Sequence, residues 1–433
     1  MSRAACSGEA SLVGPLARLR DRLAGVGAVR RDYTTTFLTS LVVTGAYLVA
    51  FRIVAYDFGP TALGEYALSR RAIALLAPLA ALGVDLAITR LVAYDRGSGQ
   101  RKVYLSAGLL LVVVDVVAIT AVILTLQSSV GELMFGSTTY SDLVHPLPLV
   151  VLGVGLHGLA YGELRGRQRV QSANGLMLVN YAVVPLLALW LGGNAIPAVL
   201  FAMGAGMVLV SGAFISFMGH SRTYLFQRLW ELLKYGAPRI PGTLLQLAMF
   251  SAPGVVVAHV SDIRIAGTVA FGVAALGLVG SALSPIGLVL LPIAAEMLGR
   301  GSHTEFRAQV VQITKIMLPL LVGGIVVFEI AAEPLVRFYL GSAYLDTVGL
   351  LRLLVLAALP WGLYVILRSA MDAHHVFATN SLNTVIAFAA FFVLTLILAR
   401  YVSPTFAVVD AFVAGLYVLG GLTVFSASRV LQK

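Results

Sequence analysis

The chain has 433 residues, 59% of them hydrophobic and 12% charged, with a mean hydropathy of +0.92 and a formal net charge of +10. An ordinary soluble domain carries roughly 25% charged residues, and no soluble fold could cover so much apolar surface. The single cysteine, Cys6, excludes an internal disulfide, and the lack of a Gly-x-x-x-x-Gly-Lys loop excludes nucleotide hydrolysis by the Walker route.

The first 31 residues form a cytoplasmic basic tail. Arg18, Arg20 and Arg22 interrupt what would be the apolar core of a secretory signal. Leu12, Leu16, Leu19, Leu23 and Val26 recur at steps of four and three. That spacing reads either as a short helix lying on the inner leaflet or as a basic tail that only enforces topology.

After Arg30-Arg31-Asp32 come about twelve apolar stretches, each long enough for a membrane span of about 20 residues. They predict helices over 33–57, 66–93, 103–127, 144–164, 173–192, 195–218, 238–260, 267–297, 309–331, 348–371, 377–400 and 404–427. Gly192-Gly193-Asn194-Ala195-Ile196-Pro197, between the fifth and sixth, has the residue types of a tight turn.

The stretches repeat as two sets of six at a spacing of about 204 residues. Gly64 of Leu-Gly-Glu-Tyr answers to Gly267 of Ala-Gly-Thr-Val, and Arg96-Gly97-Ser98 to Arg300-Gly301-Ser302. Gly136-Ser137 with Tyr140 answers to Gly341-Ser342 with Tyr344, and Leu164-Arg165 to Leu367-Arg368. An even number of spans per unit makes the halves parallel, with a cavity between them at the bilayer midplane. The expected division is an N-terminal six-helix lobe over 32–218, a cytoplasmic linker over 219–235 and a C-terminal six-helix lobe over 236–433.

Lysines and arginines fall mostly in the tails and in the loops after helices two, four, six, eight and ten. The opposite loops carry Asp57, Glu132, Glu333 and Asp346. Both termini are therefore expected in the cytoplasm of a multi-pass inner (plasma) membrane protein. The positive charge then faces anionic lipid, and nucleic acid is not an expected partner.

Two carboxylates interrupt the spans as candidates for ion coupling. Asp115 sits mid-span in Leu110-Leu111-Val112-Val113-Val114-Asp115-Val116-Val117. A carboxylate there must be paired, neutralised or hydrated, so it reads either as a proton or cation coupling site or as a buried structural acid. Asp85 shares a face of helix two with Pro78 and Arg71 at steps of seven, and such a face is expected to avoid lipid. Asp410 and Glu163 are weaker candidates of the same kind. His157 reads as a packed or bridging residue, and His374-His375 point to different sides of a helix, so no metal site is expected.

Lys234-Tyr235-Gly236-Ala237-Pro238-Arg239-Ile240-Pro241 resembles the Tyr-Gly-x-Pro-x-x-Pro start of helix seven in the polysaccharide transporters, the O-antigen flippase group of the MATE-like superfamily. Gly64-Glu65-Tyr66, Pro78-Leu79-Ala80-Ala81-Leu82-Gly83 and Thr89-Arg90 are similar to that family's pattern through helix two. Leu340-Gly341-Ser342-Ala343-Tyr344 and Leu350-Leu351-Arg352-Leu353-Leu354 resemble its stretch into helix ten. Val269 departs from the pattern, standing where the second Gly-x-Tyr would place an aromatic.

The resemblance implies an all-α, MATE-like polytopic membrane protein with two parallel six-helix repeats around a central cavity. It also implies a flippase that moves a polyprenyl-pyrophosphate-linked oligosaccharide to the outer leaflet. Proton or sodium coupling, other polysaccharide-assembly membrane proteins as partners and no cofactor go with that reading. Arg52, Arg70 and Arg71, at one depth in the outer half, then become candidates for pyrophosphate recognition; snorkelling to the outer headgroups is their other reading. Arg352 is a further substrate-binding candidate. A major-facilitator exporter, whose second loop Asp95-Arg96-Gly97-Ser98-Gly99-Gln100-Arg101-Lys102 resembles, and a MATE-type drug exporter share the twelve-span plan. A membrane-bound polysaccharide-assembly enzyme is disfavoured because every outer loop has about 20 residues or fewer, too few for a sizeable catalytic loop.

Overall fold

The computed structural model describes residues 13–94, 101–219, 221, 225–374 and 379–432. The tail before Val13 with Cys6, the Asp95–Gln100 stretch and His375 lie outside the described residues. Within the described residues the chain is helical throughout, with no strand.

The first half runs through α1 (Val13–Ile53), α2 (Pro60–Ala81), α3 (Val84–Tyr94), α4 (Arg101–Thr125), α5 (Gln127–Phe135), α6 (Leu147–Gly166), α7 (Val170–Leu178), α8 (Val184–Gly192) and α9 (Ile196–Ser216). A linker helix follows, α10 (Leu225–Gly236). The second half comprises α11 (Ile240–Val260), α12 (Ile263–Gly299), α13 (His303–Tyr339), α14 (Val348–Leu356), α15 (Ala358–His374), α16 (Thr379–Leu398) and α17 (Pro404–Gln432). Among the described residues, 11 helices are long and apolar enough to cross a membrane, or 12 when the bent pair α2 and α3 counts as one span.

Leu38, Val114, Val117, Leu209, Val327, Ile330 and Leu396 are exposed. In water that belt would be unfavourable; against lipid it is the ordinary exterior of a span. Trp190 and Tyr401, near helix ends, are exposed as interfacial aromatics are. The tail and the first span form one continuous helix, α1, so Gly14-Pro15 and the Gly25/Gly27 pair do not break it. At 1.5 Å per residue it is roughly 60 Å long and outruns the hydrocarbon core at one end.

The second span is not the straight helix that the Arg71, Pro78, Asp85 spacing assumed. It bends by 42° between α2 and α3, where Leu82 (φ 42°) and Gly83 (φ 70°) adopt left-handed backbone and the Leu82 N–H donates to the Pro78 carbonyl. Pro78 removes a helical donor one turn earlier. Asp85 therefore lies in the first turn of a new helix and packs against Gly158 and Gly162 of α6, so the steps of seven from Arg71 do not run along one unbroken helix.

The helices before α10 pack on one another around α6 and α9, and those after it around α12, α15 and α17. The repeat is visible in the turns. Gly136 (φ 77°) and Gly341 (φ 108°) each precede 3₁₀ turns, Thr138–Leu143 (kinked at Tyr140) and Ser342–Thr347, and each stretch is followed by the next helix or its first turn. Helix association in lipid relies on close backbone approach and interhelical hydrogen bonds. Gly64 of α2 and Gly267 of α12 supply such an approach, touching backbone to backbone where the two halves cross.

Candidate functional site

The two bundles are joined at the ends of their helices that the charge pattern assigns to the outer side. Phe51 of α1 packs against Tyr66 of α2 and Phe271 of α12, each at 5.4 Å between ring centroids. Phe271 in turn stacks on Tyr339 of α13 at 5.6 Å. Tyr339 donates its hydroxyl to the Leu48 carbonyl at 2.5 Å, and Tyr344 donates to the Ala55 carbonyl at 3.2 Å. Both carbonyls belong to the first span or its terminal turn. That turn is π-helical over Val54–Phe58, and a wide turn of this kind leaves carbonyls open to outside donors.

Arginines complete this seam. Arg71 of α2 donates to the Ala270 carbonyl of α12 at 3.1 Å. Arg52 of α1 donates to the Phe338 carbonyl and lies 4.8 Å from the Phe338 ring centroid, 5.7 Å from that of Tyr56. A hydrogen bond from a charged group is worth about 1.5–3 kcal/mol, so these two arginines add materially to an otherwise apolar contact. At the rim, burial together with Glu65 and Asp262 pushes the Tyr140 phenol up from its ordinary value.

The third outer-half arginine behaves differently. Arg70 stays inside the first bundle, 4.2 Å from the Tyr47 ring centroid and 3.7 Å from the Met203 sulfur. In this state Arg52, Arg70 and Arg71 thus engage three separate partners. Arg352 is not with them: it lies on α14, half-exposed, with its Nε 3.8 Å from Glu329 of α13.

Asp115 lies on α4 with its Oδ2 buried and without a hydrogen-bond partner. Glu163 is fully buried but carries two cations, Arg101 at 3.1 Å and Arg167 at 3.5 Å, and so closes the end of the first bundle electrostatically. Among the described residues no three His, Cys, Asp or Glu side chains gather as metal ligands.

The sequence marks His157 but not its partners in a buried polar cluster inside the first bundle. Asn180 sits in a π-helical turn (Val179–Val183) that interrupts the fifth span. Its amide nitrogen lies 2.9 Å from His157 Nδ1 and donates to Ser211 at 2.9 Å, linking three spans. Tyr181 meets the His157 ring edge-on at 4.6 Å, and Tyr161 stacks on it at 5.5 Å. The available signal was a polar residue at 180 and another at 211 within apolar runs.

Similarity to known proteins follows this architecture. The family described as "Polysaccharide biosynthesis protein" matches residues 29–298. Over 156 residues the chain is 31% identical to the lipid III flippase of Escherichia coli (strain K12), and to that of Shigella flexneri. These matches cover 35% of this chain and 37% of each relative, little more than a third of their length. Among solved structures, an inward-facing multidrug resistance MATE family transporter of the MOP superfamily is similar at a TM-score of 0.76 and 14% identity, over 90% of this chain and 95% of that one. The lipid II flippase MurJ in an inward closed conformation is similar at 0.75 and 15% identity, over 93% and 89%. An outward-facing MATE transporter gives 0.64 at 15% identity, over 94% and 96%. At such identities the likeness is one of fold.

Proposed function

Since the chain belongs to the polysaccharide biosynthesis protein family, we propose that it flips a polyprenyl-pyrophosphate-linked oligosaccharide from the inner to the outer leaflet by alternating access, as a transporter and not an enzyme. The observation that carries this reading is the seam itself: the bundles are clasped at one end by Arg52, Arg71 and a set of aromatic rings. At the other end the linker helix α10 rests on the first bundle, where Gly83 packs on Gly236 and Arg90 lies 4.6 Å from the Tyr235 ring centroid. In this reading the clasped end is the outer one and the state is inward-facing. Sugars and phosphates enter the opening between the bundles, while the lipid tail stays in the bilayer through the gap at its side.

Opening the seam releases the Arg71 and Arg52 guanidiniums from the carbonyls of α12 and α13. A pyrophosphate is a better acceptor than a carbonyl, because the hydrogen bonds become charge-assisted on both sides. The substrate thus gains most from the two arginines when the clasp gives way, and transport of an anion favours the transition. Proton or sodium coupling through Asp115, with both termini in the cytoplasm of the inner membrane, completes the proposal.

Depletion of the protein in its host tests the function. The expected result is accumulation of lipid-linked oligosaccharide on the inner leaflet, reversed by re-expression. Unaltered lipid-linked intermediates together with altered export of a cationic dye would favour the drug-exporter reading.

A further inference from the structure

At the opposite end of the second bundle from the seam, a cavity of about 360 Å³ opens between α11, α15 and α16. It lies at the low end of the range for small-molecule sites. Its lining is unusual for a span: Arg239, Thr243 and Gln246 from the α11 side, Arg368 and Asp372 from α15, and Asn380 from α16. Three other arginines of this bundle are matched to acids, Arg264 with Asp346 at 2.9 Å, Arg337 with Glu333 at 3.1 Å and Arg352 with Glu329 at 3.8 Å. Among the described residues neither Arg239 nor Arg368 has a carboxylate in ion-pairing distance. Aromatic faces hold them instead. The Arg239 guanidinium lies 3.9 Å from the Tyr235 ring centroid and donates to the Tyr235 carbonyl, and Arg368 lies 5.8 Å from the ring centroid of Tyr364, itself a wall of the cavity.

The acid present is already taken. Asn380 donates its Nδ2 to Asp372 at 2.6 Å and to the Arg368 carbonyl at 3.2 Å. Both partners are acceptors, which fixes the orientation of the amide and leaves Oδ1, buried and without a hydrogen bond, to accept one. The cavity therefore offers two guanidiniums to an anion and a buried carbonyl oxygen to a hydroxyl, beside an aromatic face.

We infer that this cavity is a binding site for a sugar phosphate, with Arg239 and Arg368 on the phosphate and Asn380 Oδ1 receiving a sugar hydroxyl. A bare phosphate held by the guanidiniums would leave most of the cavity empty, and a neutral sugar would leave both guanidiniums without an anion. The inference rests on the flippase reading for its source of ligand, the phosphate-linked sugar at the reducing end of the lipid-linked chain. In that reading the site holds this group at the inner face before it reaches the arginines of the seam.

The test uses the purified full chain in nanodiscs of zwitterionic lipid, titrated calorimetrically with glucose 1-phosphate, N-acetylglucosamine 1-phosphate, glucose and inorganic phosphate. At least one sugar phosphate should bind more tightly than phosphate, and glucose should not bind. Arg239→Gln and Arg368→Gln should each weaken the sugar phosphate about ten-fold or more, the value of a charge-assisted hydrogen bond. Asn380→Leu should weaken the sugar phosphate while sparing inorganic phosphate. No binding of either sugar phosphate, or unchanged affinity in both arginine variants, would overturn the site. Phosphate binding as tightly as the sugar phosphates would reduce it to an anion site and overturn the sugar. Displacement of the ligand when phosphatidylglycerol is included would reassign it to lipid headgroups. A wild-type protein that binds sugar phosphate yet does not flip lipid-linked oligosaccharide in proteoliposomes would sink the flippase reading and leave the site standing. One that flips at the same rate in both arginine variants would remove the site from transport.

Discussion

Gly64 and Gly267, equivalent positions of the two repeats, rest against each other where α2 crosses α12, so that a methyl group on Gly267 would come within 2.6 Å of the Gly64 backbone nitrogen. No side chain separates the halves at this point. The seam of Arg52, Arg71, Tyr339 and Tyr344 can close only because the two helices come this near.

Gly267→Ala should therefore wedge the outer ends apart. Overpacking of this kind costs about 1–3 kcal/mol, enough to shift a two-state balance by about five- to 150-fold. In a Cys6→Ser background, a cysteine at Phe271 should react with an impermeant outside reagent about ten times faster in the alanine variant. An unchanged rate in a protein of normal thermal stability would show that this crossing does not control the outer opening.

Arg71 separates substrate binding from simple anchoring. A role in gripping pyrophosphate needs both charge and the planar donor fork, so Arg71→Lys should partly support flipping and Arg71→Gln should lose about ten-fold or more. If Arg71 only snorkelled, Lys would replace it fully. Flipping measured at matched membrane levels decides between these outcomes.

Asp115→Asn keeps the hydrogen-bonding shape of the side chain but cannot release a proton. The expected outcome is a normally inserted protein whose flipping no longer varies with pH or sodium. Retention of the full ion dependence would assign Asp115 a structural part.

Asn180→Leu removes the amide that joins His157 to Ser211. Interhelical hydrogen bonds in membrane proteins are each worth about 0.6 kcal/mol and at most about 1.7, and the stranded partners add their own penalty. A loss of about 1–3 kcal/mol should appear as a lower Tm in detergent, with Asn180→Asp milder than Leu.

Orientation is checked by single cysteines in the same background. Positions 226 and 303 should be protected from an outside reagent in intact cells, and positions 138 and 261 should react. Labelling of position 226 from outside would invert the topology.

The spans, the repeat and the Gly64/Gly267 equivalence were all legible in the sequence, because span length and glycine placement are local properties. The break at Leu82-Gly83 was not, although its residues were read as a motif: a left-handed leucine is set by its surroundings, here the α10 backbone packed against Gly83. Nor was the helix α10, within what the sequence marks only as a cytoplasmic linker. Its signal was Leu225, Leu229, Leu232 and Leu233 on one side, with Arg228 and Glu231 pairing at 2.6 Å next to Tyr104. Arg52 and Arg71 stand out in the sequence as charges within spans, but their carbonyl partners lie more than a hundred residues further along the chain, beyond any local pattern. Tyr344 stood out in the repeat and in a family motif, with nothing to point to its bond with Ala55.

The Tyr235 ring lies between two guanidiniums, Arg90 of α3 at 4.6 Å and Arg239 at 3.9 Å, and the Gly236 backbone abuts that of Gly83. This fastens α10 to the first bundle at the bend of its second span. The torsion of one bundle against the other then falls on the single turn Ala237–Arg239, stiffened by Pro238 and followed by Pro241. Mechanically the linker is a lever arm riding with the first bundle, its fulcrum one turn long, and the sugar-phosphate cavity begins at that fulcrum.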